Sequence, residues 1–132
     1  MALYEYGDPA APVLVCVHGY PDNAALWNPV AARLTDHFRV ITYDVNGLNL
    51  YRANVVPRLL RPEPRRTDVP VPAVSPDGDA FVTTPLQTDV ARWAPHLGVQ
   101  VIRGGHWLPR NDPGLVARLT LQHTRRVAGW QV

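Results

Sequence analysis

At 132 residues, with 46% apolar and 18% charged side chains, the chain has the length and composition of one folded domain spanning residues 1–132, not of a disordered tail or two independent cores. All thirteen cationic residues are arginine, and a net charge of +2 is too weak a field to point to nucleic acid. The longest aliphatic run, Val13 to Val17, is far short of the about 20 residues of a membrane span, and residues 1–5 show no cationic-then-apolar leader, so a soluble cytoplasmic chain with no membrane partner is expected.

Val13 to Val17 follows Pro12, precedes His18-Gly19, and reads as a buried central strand. Its Cys16 is the single cysteine, which excludes an intramolecular disulfide and reads as a small buried apolar group. Leu26, Val30 and Leu34 fall at helical spacing, with Pro29 at a first helical position, and Arg39 to Asp44 follows as a second strand. Residues 48–70 form a connector rich in proline and arginine, with one poor helix from Leu50 to Leu60 that contains Pro57. Of the 14 prolines, six (Pro57, Pro62, Pro64, Pro70, Pro72 and Pro76) lie between residues 57 and 76.

The alternation then resumes. Val71 to Val74 is a third strand, and Pro85 to Ala94 a helix turning Leu86, Val90 and Trp93 inward. Val99 to Ile102 is a fourth strand, and Asp112-Pro113 opens a last helix with Val116, Leu119 and His123, or Leu115 and Leu119, toward the sheet. The pattern predicts a three-layer α/β/α domain on a mainly parallel sheet. Right-handed crossovers give the strand order 2-1-3-4, with Leu3 to Tyr6 as an added edge strand. A crevice is expected off the carboxyl ends of the first and third strands.

Those ends carry His18-Gly19-Tyr20-Pro21, Pro76-Asp77-Gly78-Asp79 and Arg103-Gly104-Gly105-His106-Trp107. With Tyr43-Asp44-Val45-Asn46-Gly47 and Gly78-Asp79-Ala80-Phe81-Val82, these turns resemble, in order, motifs of the α/β-hydrolase fold superfamily, particularly its epoxide-hydrolase-like and esterase-like members. The resemblance spans residues 13–47 and about 48–123. It implies that His18, Gly19 and Tyr20 form an oxyanion-hole turn, with the Tyr20 N–H as a donor, that Asp79 is the triad acid, and that His106 is the base. The chemistry agrees, since a general base needs its imidazole oriented by a carboxylate and developing negative charge needs placed N–H donors.

The chain departs from the family at the nucleophile. No two of the nine glycines stand four apart, so no Gly-x-Ser-x-Gly elbow exists, and Gly47 runs directly into Leu48 to Asn54, which resembles the segment beyond the family's lid. The chain reads as a hydrolase fold truncated internally. Ser75, the only serine, and Asp77 are minor nucleophile candidates; Asp77 before Gly78 is more simply a turn residue. His18 has a structural reading beside the implied one, its ring satisfied by nearby backbone. No ligand pair has the spacing of a metal site, and Gly104-Gly105 lacks the third glycine of a dinucleotide loop, so neither metal nor cofactor is expected.

The resemblance implies a hydrolase of small ester-like or epoxide-like molecules with Asp79 and His106 retained. The alternative is a non-catalytic or partner-dependent binding domain. Some relatives of this type carry the hydrolase domain ahead of a short-chain dehydrogenase. Open sheet edges also invite a homodimer.

Overall fold

The computed structural model describes residues 2–45, 47–61 and 65–128. Asn46 of the Tyr-Asp-x-x-Gly turn and Pro62 to Pro64 of the connector lie outside them. The strands are β1 (Leu3–Tyr6), β2 (Val13–Cys16), β3 (Arg39–Tyr43), β4 (Val71–Pro76) and β5 (Leu97–Ile102). The helices are α1 (Asn28–Ala31), α2 (Gly47–Leu60), α3 (Thr84–Thr88), α4 (Leu108–Asn111) and α5 (Pro113–Val127).

The alternation of strand and helix is as the sequence predicts, and β2 pairs parallel with β3, as β4 does with β5. Leu3 to Tyr6 is indeed an edge strand, antiparallel to β3, and Arg39 bonds Glu5 across that pair at 2.6 Å. The expected pairing of the first and third strands does not form. Instead there are two sheets, β1-β3-β2 and β4-β5, so the continuous order 2-1-3-4 is corrected to two parallel pairs.

Proline supplies a physical reason. The Val71 and Asp77 N–H groups donate toward the β5 side, to His96 and Ile102, so by strand alternation residues 72, 74 and 76 turn their amide positions to the opposite edge. Two of those three are Pro72 and Pro76, which have no N–H. The edge of β4 that would meet β2 keeps one donor, Val74.

The core lies on one face of the first sheet. Cys16 and Val40 meet Val30, Ala31 and Leu34 from α1 and the turn after it, and Ala117 from α5. Leu26, Val30 and Leu34 are buried as their spacing predicts, although the helix there is short, with a 3-10 turn at Ala24–Trp27 before α1. The other face of β2 corrects the expectation of a fully buried strand and a complete three-layer stack. Val13, Val15 and Val17 are each more than half exposed, because α1 and α5 cover only the side of Leu14 and Cys16.

Two helices also differ from expectation. Leu86 and Val90 are exposed rather than inward: the predicted helix is broken into the five-residue α3, none of whose residues is buried, and a 3-10 turn at Asp89–Arg92, while Trp93 beyond it is half-buried. Within the predicted connector, α2 runs fourteen residues through Pro57, with Val55 to Leu60 exposed. The last helix starts as predicted, Asp112 Oδ1 accepting from the Leu115 N–H at 2.8 Å.

Candidate active site

Strand β4 delivers Asp77-Gly78-Asp79 to the carboxyl end of the second sheet, and β5 delivers Arg103 to Trp107 beside it. Main-chain bonds lock the two turns together. Asp77 N–H donates to Ile102 O at 2.8 Å and Gly78 N–H to Gly104 O at 2.9 Å, while Asp77 Oδ1 accepts from Gly104 N–H at 3.3 Å. A side chain at Gly78 would put its Cβ 2.7 Å from Gly104 O, so this approach requires glycine. Asp77 is therefore a turn staple, as its position before glycine suggested.

The lock sets Asp79 against His106. The imidazole Nδ1 lies 3.0 Å from Oδ2 and 3.2 Å from Oδ1 of the carboxylate. Asp79 Oδ1 also accepts from the Phe81 and Val82 N–H groups, at 2.8 and 2.9 Å. Desolvation pushes the Asp79 carboxyl up, but the Val82, His106 and Phe81 hydrogen bonds together outweigh it and hold its pKa below the ordinary carboxylate value. Only 4% of the Asp79 side chain is exposed against 34% of that of His106, so the acid is covered and the base reaches the surface. Phe81 and Trp107 flank the imidazole with ring centroids 5.0 and 5.1 Å away. Sequence reasoning did not single out these two rings as walls.

Asp79 and His106 line one end of a cavity of about 560 Å³ between the two sheets. Its other walls include Leu14 of β2, Pro72 and Val74 of β4, and Val116, Leu119 and Thr124 of α5. Volumes of this order suit a small organic molecule.

The His18-Gly19-Tyr20 turn ends β2. His18 is buried, and its Nε2 accepts from the Val45 N–H at 2.9 Å, which leaves Nδ1 protonated against Gly19 O at 2.9 Å. This ring is committed on both nitrogens and ties the end of β2 to the end of β3. Tyr20 is exposed and its bond to Pro21 is cis. Just beyond it, Asp22 accepts from Arg110 of α4 at 2.8 Å, an ion pair that holds this turn against the segment following His106. Neither partner carried a recognisable sequence signal, because the contact spans 88 positions.

Ser75 does not reach the base. It is fully buried in β4 and its hydroxyl bonds that of Thr84 at 2.7 Å. Cys16 is also buried, and desolvation pushes its thiol up to about 11. Among the described residues no three His, Cys, Asp or Glu side chains are grouped to hold a metal, and no helix is long and apolar enough to cross a membrane.

No protein-family model matches the chain. Over 48 residues it is 42% identical to the "Probable oxidoreductase EphD" of Mycobacterium bovis and of Mycobacterium tuberculosis, a stretch that is 36% of this chain and 8% of those relatives. The chain thus spans less than a tenth of the curated relatives it matches. Solved structures are similar over most of its length. A thermophilic esterase from Thermogutta terrifontis aligns with a TM-score of 0.71 at 16% identity, covering 96% of this chain and 93% of that one. A predicted CIB-like hydrolase from Thermoplasma acidophilum gives 0.68 at 12% identity, covering 94% and 92%. The thioesterase domain from the curacin biosynthetic pathway gives 0.67 at 11%, covering 90% and 94%.

Proposed function

From the α/β-hydrolase fold that this chain carries, we propose that it hydrolyses small uncharged ester-like molecules by direct activation of water at His106. The observation that carries this reading is the Asp79–His106 pair at the mouth of an apolar cavity. With Nδ1 hydrogen-bonded to Asp79, the Nε2 of His106 is the position that takes a proton from water as it attacks a carbonyl. Asp79 stabilises the imidazolium that forms, and main-chain N–H groups of the Gly19-Tyr20 turn receive the developing oxyanion. As the intermediate collapses, the ester C–O bond breaks and the imidazolium gives its proton to the departing alkoxide, releasing acid and alcohol. Removal of a triad nucleophile leaves about 10³- to 10⁴-fold catalysis over water, and that is the ceiling expected here. In this reading the seam between β2 and β4 is where an internally truncated sheet lacks its central strands.

Hydrolysis of p-nitrophenyl acetate by the wild type, His106→Ala and Asp79→Asn tests it, with the fold checked by circular dichroism. A rate above background that is lost in His106→Ala and reduced less in Asp79→Asn is expected. Turnover that survives His106→Ala rejects the assignment. The second reading, a binding domain without turnover, is favoured by the burial of Ser75 against Thr84, which removes the one serine from the site. Absence of turnover in all three proteins selects it.

A further inference from the structure

We infer that the seam between the two sheets binds an unbranched, uncharged aliphatic chain of about ten carbons, lying along α5 with its polar end at His106; the placement of that end rests on the role proposed above for His106. The cavity is continuous from Asp79 and His106 past Val74 to Pro72 and Thr124. Along α5 the wall runs from Val116 to Thr124, about 12 Å at 1.5 Å per residue. Along β4 it runs from Pro72 to Pro76, about 13 Å at 3.3 Å per residue. A zigzag of about ten carbons with bonds of about 1.5 Å spans the same distance.

The occupant is an aliphatic chain rather than a peptide strand or water. A strand added to β4 would find one N–H along that edge, since Pro72 and Pro76 offer none. Water would face Leu14, Val74, Val82, Leu108, Val116 and Leu119, which offer it no hydrogen bonds. Of the polar side chains in the wall, Gln87 already donates to Val82 O, and Nδ1 of His123, beside Thr124, is the one buried position without a partner among the described residues. The Thr120 and Thr124 hydroxyls already donate to the carbonyls of their own helix. At the mouth, the covered Asp79 carboxylate repels an anionic head group, whereas an ester carbonyl or a hydroxyl can bond His106.

The test is calorimetric titration of the wild type with straight-chain alcohols from butanol to dodecanol, none of which needs hydrolysis to bind. Affinity should rise about fourfold per added methylene and level off near decanol. A series flat in chain length overturns the proposal. Val74→Phe and Leu119→Trp, which fill the seam, should weaken decanol binding at least about tenfold, and unchanged binding in either folded variant also overturns it. Decanoate should bind at least about tenfold more weakly than decanol; equal binding overturns the placement of the head group. A dimer in sedimentation velocity that both filling variants abolish would assign the seam to a second copy of this chain instead. Alcohol binding with the predicted length dependence but no hydrolysis of p-nitrophenyl acetate would reject the catalytic reading and leave the seam site standing. Hydrolysis with a flat series would do the reverse.

Discussion

Gly78 donates its N–H to the carbonyl of Gly104 at 2.9 Å, so the turn that carries Asp79 and the turn that carries His106 are joined by main chain rather than by side chains alone. The approach leaves no room for a Cβ at residue 78. Gly78→Ala is expected to cost about 1–3 kcal/mol by urea denaturation, the range of overpacking strain, and to reduce any His106-dependent rate. Gly105→Ala, with nothing within 4 Å of its added carbon, should leave stability within about 0.5 kcal/mol.

The depressed Asp79 pKa predicts how stability depends on acid. A carboxyl whose folded pKa lies below its unfolded value stabilises the fold fully above the unfolded value, and the contribution is lost as pH falls through the folded one. Urea midpoints measured from pH 6 downward should therefore drop below about pH 4, near the ordinary aspartate value. Asp79→Asn should flatten that part of the curve. An equal acid limb in the variant would show that other groups govern it.

Burial of Ser75 against Thr84 predicts that a fluorophosphonate will not label the native protein. Stoichiometric labelling that disappears in Ser75→Ala would contradict this geometry. The same substitution leaves the Thr84 hydroxyl without its partner, and a loss of about 1–3 kcal/mol is expected in thermal or urea unfolding.

Cys16 should be silent to thiol reagents while the chain is folded. With its pKa pushed up to about 11 and its side chain covered, it should not react with dithiobis(nitrobenzoate) at pH 8. One equivalent should react after unfolding in guanidinium. Rapid native reaction would place the thiol at the surface.

Leu34 has no exposed surface and joins α1 to the first sheet within the core. Leu34→Ala should cost about 2–5 kcal/mol. Leu59→Ala on the exposed part of α2 should change stability by less than about 0.5 kcal/mol.

Much of this chain was legible before folding because local chemistry governs it. The alternation of β-branched runs with helical spacings marks β2 to β5, Asp112 before Pro113 marks the start of α5, and Leu26, Val30 and Leu34 mark the buried side of the first helical segment. Asp79 and His106 were legible as candidates from the resemblance of the turns around them to α/β-hydrolase motifs, since the glycines alone mark Asp77 and His18 equally, and folding brings them within hydrogen-bonding distance. Which strands would pair across the middle was not legible in this way. The spacing of hydrophobic residues places a strand but does not count the donors on each edge, and only the register with β5 shows that Pro72 and Pro76 both point to the edge facing away from it. The helical spacing of Leu86 and Val90 likewise misled, because no continuous helix forms there: α3 stops at Thr88, a 3-10 turn follows, and neither side chain is covered. The Asp22–Arg110 ion pair and the seam lined from Leu14 to Thr124 depend on residues far apart in the chain, so tertiary packing alone decided them.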